Sequence, residues 1–391
     1  MRFSTYLLLA VFLVLSACDS GAPLPADDRF PRVTYQTDGT DRVIGATRLR
    51  SGDLAVYGLT EGRIAPNDGT NAYPLLLRLR PDGAIASKAV YRDEGFGRVA
   101  GAVPLNDGLA VLSVTRGSSS TGGPLSLTLY RTDRTGTRAG ILYQQMEASV
   151  PESPLLRTPD GGFLLITFPS SADADNIIKL GAGGSVQWTY RLPEAQDVRA
   201  ADLAPNGDVL VLGVGGGSAF TIARLAPTGR ERWRRAYGDS TEVTSFGGFT
   251  ALDAGAAVLE TIVAADTSAI RVTRLDADGD VSWTRTYAEG YVRGTALATL
   301  TGEDLAFAWT EDVRSVGLGG YRAKIARLDA AGAVQSRHPF GPQDGTSTSV
   351  SALLPYSEDA FVAAGSTGPE RLGRFGGDDF DVLVRRYDVT P

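Results

Sequence analysis

Short apolar runs separated by glycine-bearing turns dominate the pattern of the chain. A turn followed by an alternating apolar strand recurs at seven places: 51–56, 106–111, 160–165, 206–211, 254–258, 302–307 and 357–362. Several copies carry an Asx-Gly pair between apolar runs, a strong short-range signal for a β-hairpin. No long segment has the periodicity of an amphipathic helix, so the pattern predicts an all-β protein.

A second hairpin signal alternates with the first and is clearest at residues 274–287. That stretch predicts a strand, a two-residue turn at Asp278 and Gly279, and a second strand that carries Trp283. The turn glycine recurs every 45 to 53 residues, at Gly83, Gly136, Gly184, Gly229, Gly279 and Gly332. Periods near 50 residues with about four strands each are typical of the blades of a β-propeller.

The two signals differ in number, and the difference predicts how the ring closes. The last unit ends at Val382–Asp388 without the second strand of its hairpin, whereas an extra strand, Arg32–Thr37, precedes the first unit. We therefore predict a seven-bladed β-propeller over residues 30–391. Each blade has four antiparallel strands, a to d outward from the axis, and the N-terminal strand completes the last blade. The a–b and c–d hairpins are short, so the long b–c and d–a connections lie on the opposite face, where function is expected.

Three tryptophans occupy one position of the repeat, four residues after the turn glycine: Trp188, Trp233 and Trp283. The corresponding residues of other units are Ser87, Gly140 and Ser336. A large aromatic at that position predicts packing between neighbouring blades. Stacking on a base or a sugar is the alternative interpretation.

The segments Leu275-Asp276-Ala277 and Leu328-Asp329-Ala330, each followed by a turn glycine, carry a resemblance to a known repeat. The unit resembles the tryptophan-docking repeat of quinoprotein-like and WD40-type propellers. It is also similar to the degenerate propeller repeats of bacterial secreted lipoproteins. The resemblance implies a structural repeat, used as a non-catalytic scaffold by the propeller lipoprotein of the outer-membrane barrel assembly machinery. Quinone-dependent dehydrogenases of this class add a vicinal disulfide and a calcium-bound cofactor. With one cysteine this chain cannot form that disulfide, so we expect no cofactor.

The N-terminus predicts export and lipid anchoring. Arg2 is followed by an apolar run, Leu7–Leu15, that is too short to span a bilayer, and then by Leu-Ser-Ala-Cys. We expect residues 1–17 to be a lipoprotein signal peptide, Cys18 to be lipidated, and residues 18–29 to be a flexible tether. An ordinary signal peptide with a coincidental cysteine is the alternative. The expected location is the bacterial cell envelope, on its periplasmic or cell-surface side, at the outer membrane or another membrane.

Composition narrows the range of partners and chemistry. The net charge of −7 and the pI of about 5.0 argue against nucleic acid as a partner, which requires basic surface. His338 is the only histidine, which excludes zinc sites built from several histidines and any Ser-His-Asp triad that does not use it. We expect a monomer without a bound metal.

Acidic residues recur in the d–a connections and form a candidate ligand face, comprising Asp93, Glu94, Glu194, Asp239, Glu242, Glu289 and Asp344. Such a ring attracts cations or a basic partner, although solvated turns explain it equally well. The leading hypothesis is a binding or scaffolding module for a protein or glycan. The alternative is a carbohydrate-active hydrolase or lyase that uses a pair of carboxylates on the long-loop face.

Overall fold

The structure is a computed structural model. It describes residues 33–35, 39–62, 72–92, 96–116, 125–146, 148–151, 154–169, 176–193, 197–215, 218–238, 243–264, 267–312, 320–341, 346–357, 360–368 and 381–388. Within these ranges, no helix has the length and apolar character that crossing a membrane requires. The predicted signal peptide, Cys18 and the predicted tether lie outside the described residues.

The strands form seven four-stranded sheets, which we number as blades I to VII. Blade I contains β2 (Gly39–Arg48), β3 (Leu54–Gly62), β4 (Ala72–Leu79) and β5 (Ile85–Val90). Blade II contains β6 (Phe96–Pro104), β7 (Leu109–Arg116), β8 (Leu125–Thr132) and β9 (Arg138–Met146). Blade III contains β11 (Leu155–Arg157), β12 (Phe163–Ile166), β14 (Ile177–Leu180) and β15 (Val186–Tyr190). A short pair beside it joins β10 (Ala148–Ser149) to β13 (Phe168–Pro169).

The remaining blades have the same order. Blade IV contains β16 (Asp197–Leu203), β17 (Val209–Gly215), β18 (Ser218–Leu225) and β19 (Glu231–Tyr237). Blade V contains β20 (Val243–Leu252), β21 (Gly255–Ala264), β22 (Thr267–Leu275) and β23 (Val281–Gly290). Blade VI contains β24 (Val292–Thr299), β25 (Leu305–Asp312), β26 (Tyr321–Leu328) and β27 (Val334–Phe340), with a 3-10 turn at Thr301–Glu303. Blade VII contains β28 (Ser347–Ser357), β29 (Ala360–Gly368), β30 (Asp381–Asp388) and, from the other end of the chain, β1 (Val33–Tyr35).

The N-terminal strand closes the ring, as the sequence predicts. β1 pairs antiparallel with β30, and Thr34 lies opposite Leu383. The sheet order β28-β29-β30-β1 makes β1 the outermost strand of blade VII. Because both ends of the chain share one sheet, the outer edge of β30 is covered over residues 382–384 instead of being left open for edge-to-edge pairing.

The hydrophobic core lies between the blades. Seven clusters of buried side chains each join two neighbouring blades. In the cluster between blades VII and I, for example, Leu54 and Leu77 pack with Val362 and Val384. The second strand of each blade is apolar on both sides because its alternate residues face different neighbours.

One local detail of the predicted hairpins is wrong. The turn at residues 276–280 is not a two-residue Asp-Gly turn, which would require positive φ at both central residues. Gly279 has a φ of 83°, whereas the φ of Asp278 is not positive. The amide of Gly279 donates to the carbonyl of Asp276 at 3.1 Å, and the register shifts at the last pair before the turn. This is a four-residue turn closed by a glycine bulge.

Candidate functional site

The three repeat tryptophans lie at the contacts between blades, on the tight-turn face formed by the a–b and c–d hairpins. Trp233 of blade IV reaches the c–d turn of blade V, where its Nε1 donates to the carbonyl of Ala277 at 3.1 Å. A β-carbon on Gly279 would lie 3.0 Å from the same ring, and the φ of 83° at this position also favours glycine. The same donation recurs from Trp188 to Pro227 at 3.0 Å and from Trp283 to Ala330 at 3.1 Å.

At two of the three tryptophans, a basic residue paired with the tryptophan across the sheet reinforces this contact. Beside Trp283, Arg274 donates to the carbonyl of Ala330 at 3.1 Å, whereas beside Trp188, Lys179 binds Asp160 of its own blade. Arg224, paired with Trp233 across the sheet, donates through Nη1 to the same Ala277 carbonyl at 3.1 Å and through Nε to Asp208 at 2.8 Å. Asp208 immediately precedes the second strand of the same blade, so the guanidinium links one blade to the next. The repeat position is basic in six blades, at Arg78, Arg131, Lys179, Arg224, Arg274 and Arg327. This recurring basic residue was not identified from the sequence alone, although each copy lies five residues before the turn glycine.

Of the predicted acidic ring, the structure describes one member. Glu289 lies near the end of β23 and is exposed. The other six, Asp93, Glu94, Glu194, Asp239, Glu242 and Asp344, lie outside the described residues. The proposed ring of carboxylates therefore stays a prediction.

Glu289 lines a cleft of about 390 Å³ between blades V and VI, which we call the V/VI cleft. Its other charged lining residues are Glu311 on β25, Lys324 on β26 and Arg337 on β27. Lys324 lies opposite Trp309 in the sheet register, and Glu311 is two residues further along the strand of Trp309. The charged residues Glu311 and Lys324 therefore lie on neighbouring strands of blade VI. The cleft lies toward the long-loop face, because β23 and β25 both end there.

Glu311 is held on two sides. One carboxylate oxygen accepts from Nε1 of the buried Trp309 at 3.0 Å, and the other is 2.8 Å from Nζ of Lys324. Opposite, Arg337 donates to the carbonyl of Tyr287 at 3.3 Å. Burial raises the pKa of the Tyr287 hydroxyl to about 12, so the ring stays neutral at physiological pH. The charges at the base of the cleft are thus fixed by partners within the protein.

The connection that follows Glu289, from β23 to β24, is also held by hydrogen bonds. Ser268 Oγ donates to the carbonyl of Val292 at 2.6 Å, and the amide of Val292 donates back to that oxygen at 2.8 Å. The amide of Asp312 donates to the carbonyl of Tyr291 at 2.8 Å. Tyr291, two residues after Glu289, is 57% exposed, so this connection presents an aromatic ring to solvent.

The single histidine, His338, also borders the V/VI cleft, but its ring packs toward blade VII. It lies 5.2 Å from the ring of Tyr387, and Nε2 is 3.0 Å from Ser336 Oγ. Burial, helped by the nearby charge of Arg385, lowers the pKa of His338, so the ring is neutral at pH 7. In the part of the chain that the structure describes, no three His, Cys, Asp or Glu side chains cluster as metal ligands.

Sequence reasoning did not identify the key residues of the cleft. Trp309 is the fourth tryptophan and stands outside the repeat position, in the second strand of its blade. Its partners Glu311 and Lys324 belong to different strands, and their proximity follows from sheet register alone. The available signal was the rarity of lysine, which occurs only at positions 88, 179 and 324.

Comparisons with known proteins fit the fold just described. No protein-family model matches the sequence, and no curated protein matches it either. Among solved structures, the chain is similar to a catalytically inactive histidine-to-alanine variant of virginiamycin B lyase from Staphylococcus aureus with Quinupristin. That likeness has a TM-score of 0.55 at 12% identity and covers 91% of this chain and 98% of the lyase.

Two further similarities come from proteins of other kinds. The Pan2 WD40 domain of Neurospora crassa gives a TM-score of 0.51 at 8% identity, covering 89% of each chain. Prolyl oligopeptidase B from Galerina marginata gives 0.53 at 13% identity, covering 93% of this chain and 50% of that one. At such low sequence identities, the similarity shows a shared fold and does not assign an activity to this chain. The chain is a seven-bladed β-propeller.

Proposed function

We propose that this protein is a lipid-anchored, extracytoplasmic binding module that engages a protein partner through the V/VI cleft. The observation that carries the proposal is the clamped state of Glu311 between Trp309 and Lys324. Glycoside hydrolysis requires one carboxyl group that holds a proton and a second positioned across the scissile bond. A carboxylate already paired with an ammonium group suits fixed electrostatic recognition better.

The exposed groups around the cleft support a protein partner. Glu289 and Arg337 are both exposed and of opposite charge, and Tyr291 adds an exposed aromatic ring nearby. Interfaces between proteins commonly combine an aromatic anchor with charged groups that set orientation. A glycan would use the same ring for stacking, and it is the alternative ligand in the test below.

Anchoring through Cys18 would place the module at the bacterial envelope. The motif around Cys18 and the absence of any other cysteine support this part of the proposal. Metabolic labelling with an acyl-chain analogue should label the wild-type protein and not Cys18→Ser. Equal labelling of both proteins would refute the anchor and leave the binding proposal standing.

The binding proposal is tested by crosslinking and affinity purification from native membranes. The double variant Glu289→Lys/Arg337→Glu changes only exposed side chains, and we expect it to lose a partner that the wild-type protein recovers. Asp278→Lys, an exposed change on the tight-turn face, is the matched control and should retain the partner. Recovery of no partner, together with turnover of a glycan panel that Glu289→Gln abolishes, would favour a carbohydrate-active enzyme instead.

A further inference from the structure

A second cavity, of about 240 Å³, lies between blades I and II on the tight-turn face. Ser87 and Gly136 both line it. Ser87 holds the repeat position that Trp188, Trp233 and Trp283 hold in blades III to V, and Gly136 is the turn glycine of the next blade. The cavity is therefore located where an indole ring lies at three equivalent contacts. We call it the blade I socket.

The rest of the contact is retained around the blade I socket. Arg78, paired with Ser87 across the sheet, donates to the carbonyl of Arg134 at 2.7 Å, as Arg224 does to Ala277. The hydroxyl of Tyr91 donates to the carbonyl of Gly136 at 2.8 Å, as that of Tyr237 does to Gly279 at 2.7 Å. At two of the three filled contacts, the carbonyl equivalent to that of Arg134 accepts a second hydrogen bond, from the indole. Here no indole supplies that second bond, and the side chains nearest to the turn glycine are those of Ala89 and Leu76.

Blades II and VI, which also have a residue other than tryptophan at the repeat position, do not preserve such a socket. In blade II, where Gly140 holds the position, a β-carbon on the neighbouring turn glycine Gly184 would lie 1.9 Å from the carbonyl oxygen of Leu142. Backbone thus approaches backbone at that contact. Blade VI carries Ser336, but the blade it faces has β1 from the N-terminus as its outer strand. That blade has no c–d turn to supply the accepting carbonyl.

Charge around the blade I socket indicates a second feature of its ligand. Arg50, Arg78 and Arg134 line it together with one carboxylate, Asp133, and Arg78 is already paired with Asp53 at 2.5 Å. Asp133 accepts hydrogen bonds from the amides of Thr135 and Thr137 within its own turn. Hydrogen bonds from Thr135 lower its pKa, so it is ionised at neutral pH. The exposed guanidinium of Arg134 lies at the rim, where it favours an anionic group.

We propose that the blade I socket binds a planar aromatic ring that carries an N–H donor and an adjacent carboxylate, with the ring in the place of the missing tryptophan. The N–H would donate to the carbonyl of Arg134, and the carboxylate would meet the arginine rim. A cavity of about 150 Å³ is enough to hold a benzene-sized ring in a protein interior. The ring can come from a free indole-type acid or from a tryptophan in an acidic segment of a partner.

The test measures binding to the lipid-free mature domain by calorimetry, with melting temperature as a second readout. N-acetyl-tryptophan should bind saturably and raise the melting temperature, while N-acetyl-tryptophanamide should bind more weakly because it lacks the carboxylate. Indole should bind about threefold to tenfold more tightly than benzofuran, which lacks the N–H donor. An Asp-Trp-Asp peptide with capped termini represents the acidic segment of a partner protein. Tighter binding of the peptide assigns the site to a partner protein, and tighter binding of N-acetyl-tryptophan assigns it to a small acid.

Two variants locate the site. Ser87→Trp should fill the socket, raise the melting temperature and abolish binding. Ser87→Leu fills it partly and keeps the test valid if the indole does not fit. Trp233→Ser creates a matching cavity between blades IV and V and should gain one further indole site. No binding by the wild-type protein at millimolar indole, or equal binding by the wild-type, Ser87→Trp and Ser87→Leu proteins, would overturn the proposal. Neither result affects the V/VI cleft, which lies on the opposite face.

Discussion

Trp233 and Ala277 belong to different blades, yet the indole Nε1 of one donates to the backbone carbonyl of the other at 3.1 Å. The contact joins an outer strand to the outer turn of the next blade, far from the channel where the inner strands meet. The stability of the ring therefore depends on its periphery as well as on the apolar clusters between blades.

Removing this indole should destabilise the whole ring. Trp233 is partly exposed, so we expect Trp233→Ala to cost about 2–3 kcal/mol, below the range for a fully buried ring. Trp233→Phe keeps most of the apolar contact but loses the donor, and it should cost about 1 kcal/mol more than a surface control such as Val281→Ala. Urea unfolding measures both. Equal stability of Trp233→Ala and the wild-type protein would show that the ring does not depend on this contact.

Closure by β1 predicts long-range coupling between the ends of the chain. Deleting residues 30–37 exposes the outer edge of β30 and should raise amide exchange throughout Asp381–Asp388. It should also promote association through the open edge. Hydrogen–deuterium exchange and light scattering measure these effects. Unchanged protection in β30 would contradict the closure.

A buried ion pair inside blade V provides a third prediction. Glu260 is fully buried, and Arg271 donates to its two oxygens at 3.1 and 3.0 Å. Arg271→Met should destabilise by about 3–5 kcal/mol because it leaves a buried charge without its main partner. The double variant Glu260→Leu/Arg271→Met removes both charges and should recover most of that loss. A double variant as unstable as Arg271→Met would refute this explanation.

Two aspartates should give the folding stability opposite dependences on pH. For Asp160, burial acts to raise the pKa, but hydrogen bonds from Thr158 and Lys179 outweigh it and lower the pKa to about 2. Its stabilising contribution is present above the unfolded-state pKa of about 4 and is lost as pH falls toward 2. Asp160→Asn should flatten the acid limb of the stability profile between about pH 4 and pH 2.

For Asp202 the sign is reversed, since burial raises its pKa despite hydrogen bonds from Ala251, Leu203 and Thr250. The protonated form is favoured in the folded protein, so its contribution is present at low pH and is lost as pH rises through the folded-state pKa. The variant Asp202→Asn should therefore not show this decrease in folding stability as the pH rises. Chemical unfolding from pH 2 to pH 7 separates the two variants, and parallel profiles for both would contradict the assignment.

The fold was accessible from the sequence because its determinants are local and repeated. Turn glycines such as Gly229 and Gly279 recur every 45 to 53 residues, and the unpaired strand at Val382–Asp388 required a partner that only the N-terminus offered. The V/VI cleft was not accessible in the same way. Lys324 and Glu311 are on different strands, and only the sheet register shows that their side chains meet. The blade I socket was partly visible, since Ser87 breaks the tryptophan pattern, but the cavity depends on how closely Gly136 approaches.

The most direct test of the proposed function places a photocrosslinking residue at Tyr291, two residues after Glu289 of the V/VI cleft, and separately at Val281, an exposed position near the tight-turn face. Both proteins are irradiated in intact cells. We predict that Tyr291 yields a discrete crosslinked protein, that Val281 does not, and that Glu289→Lys/Arg337→Glu removes the product. Crosslinking from Val281 alone, or a Tyr291 product that survives the charge reversal, would contradict the account.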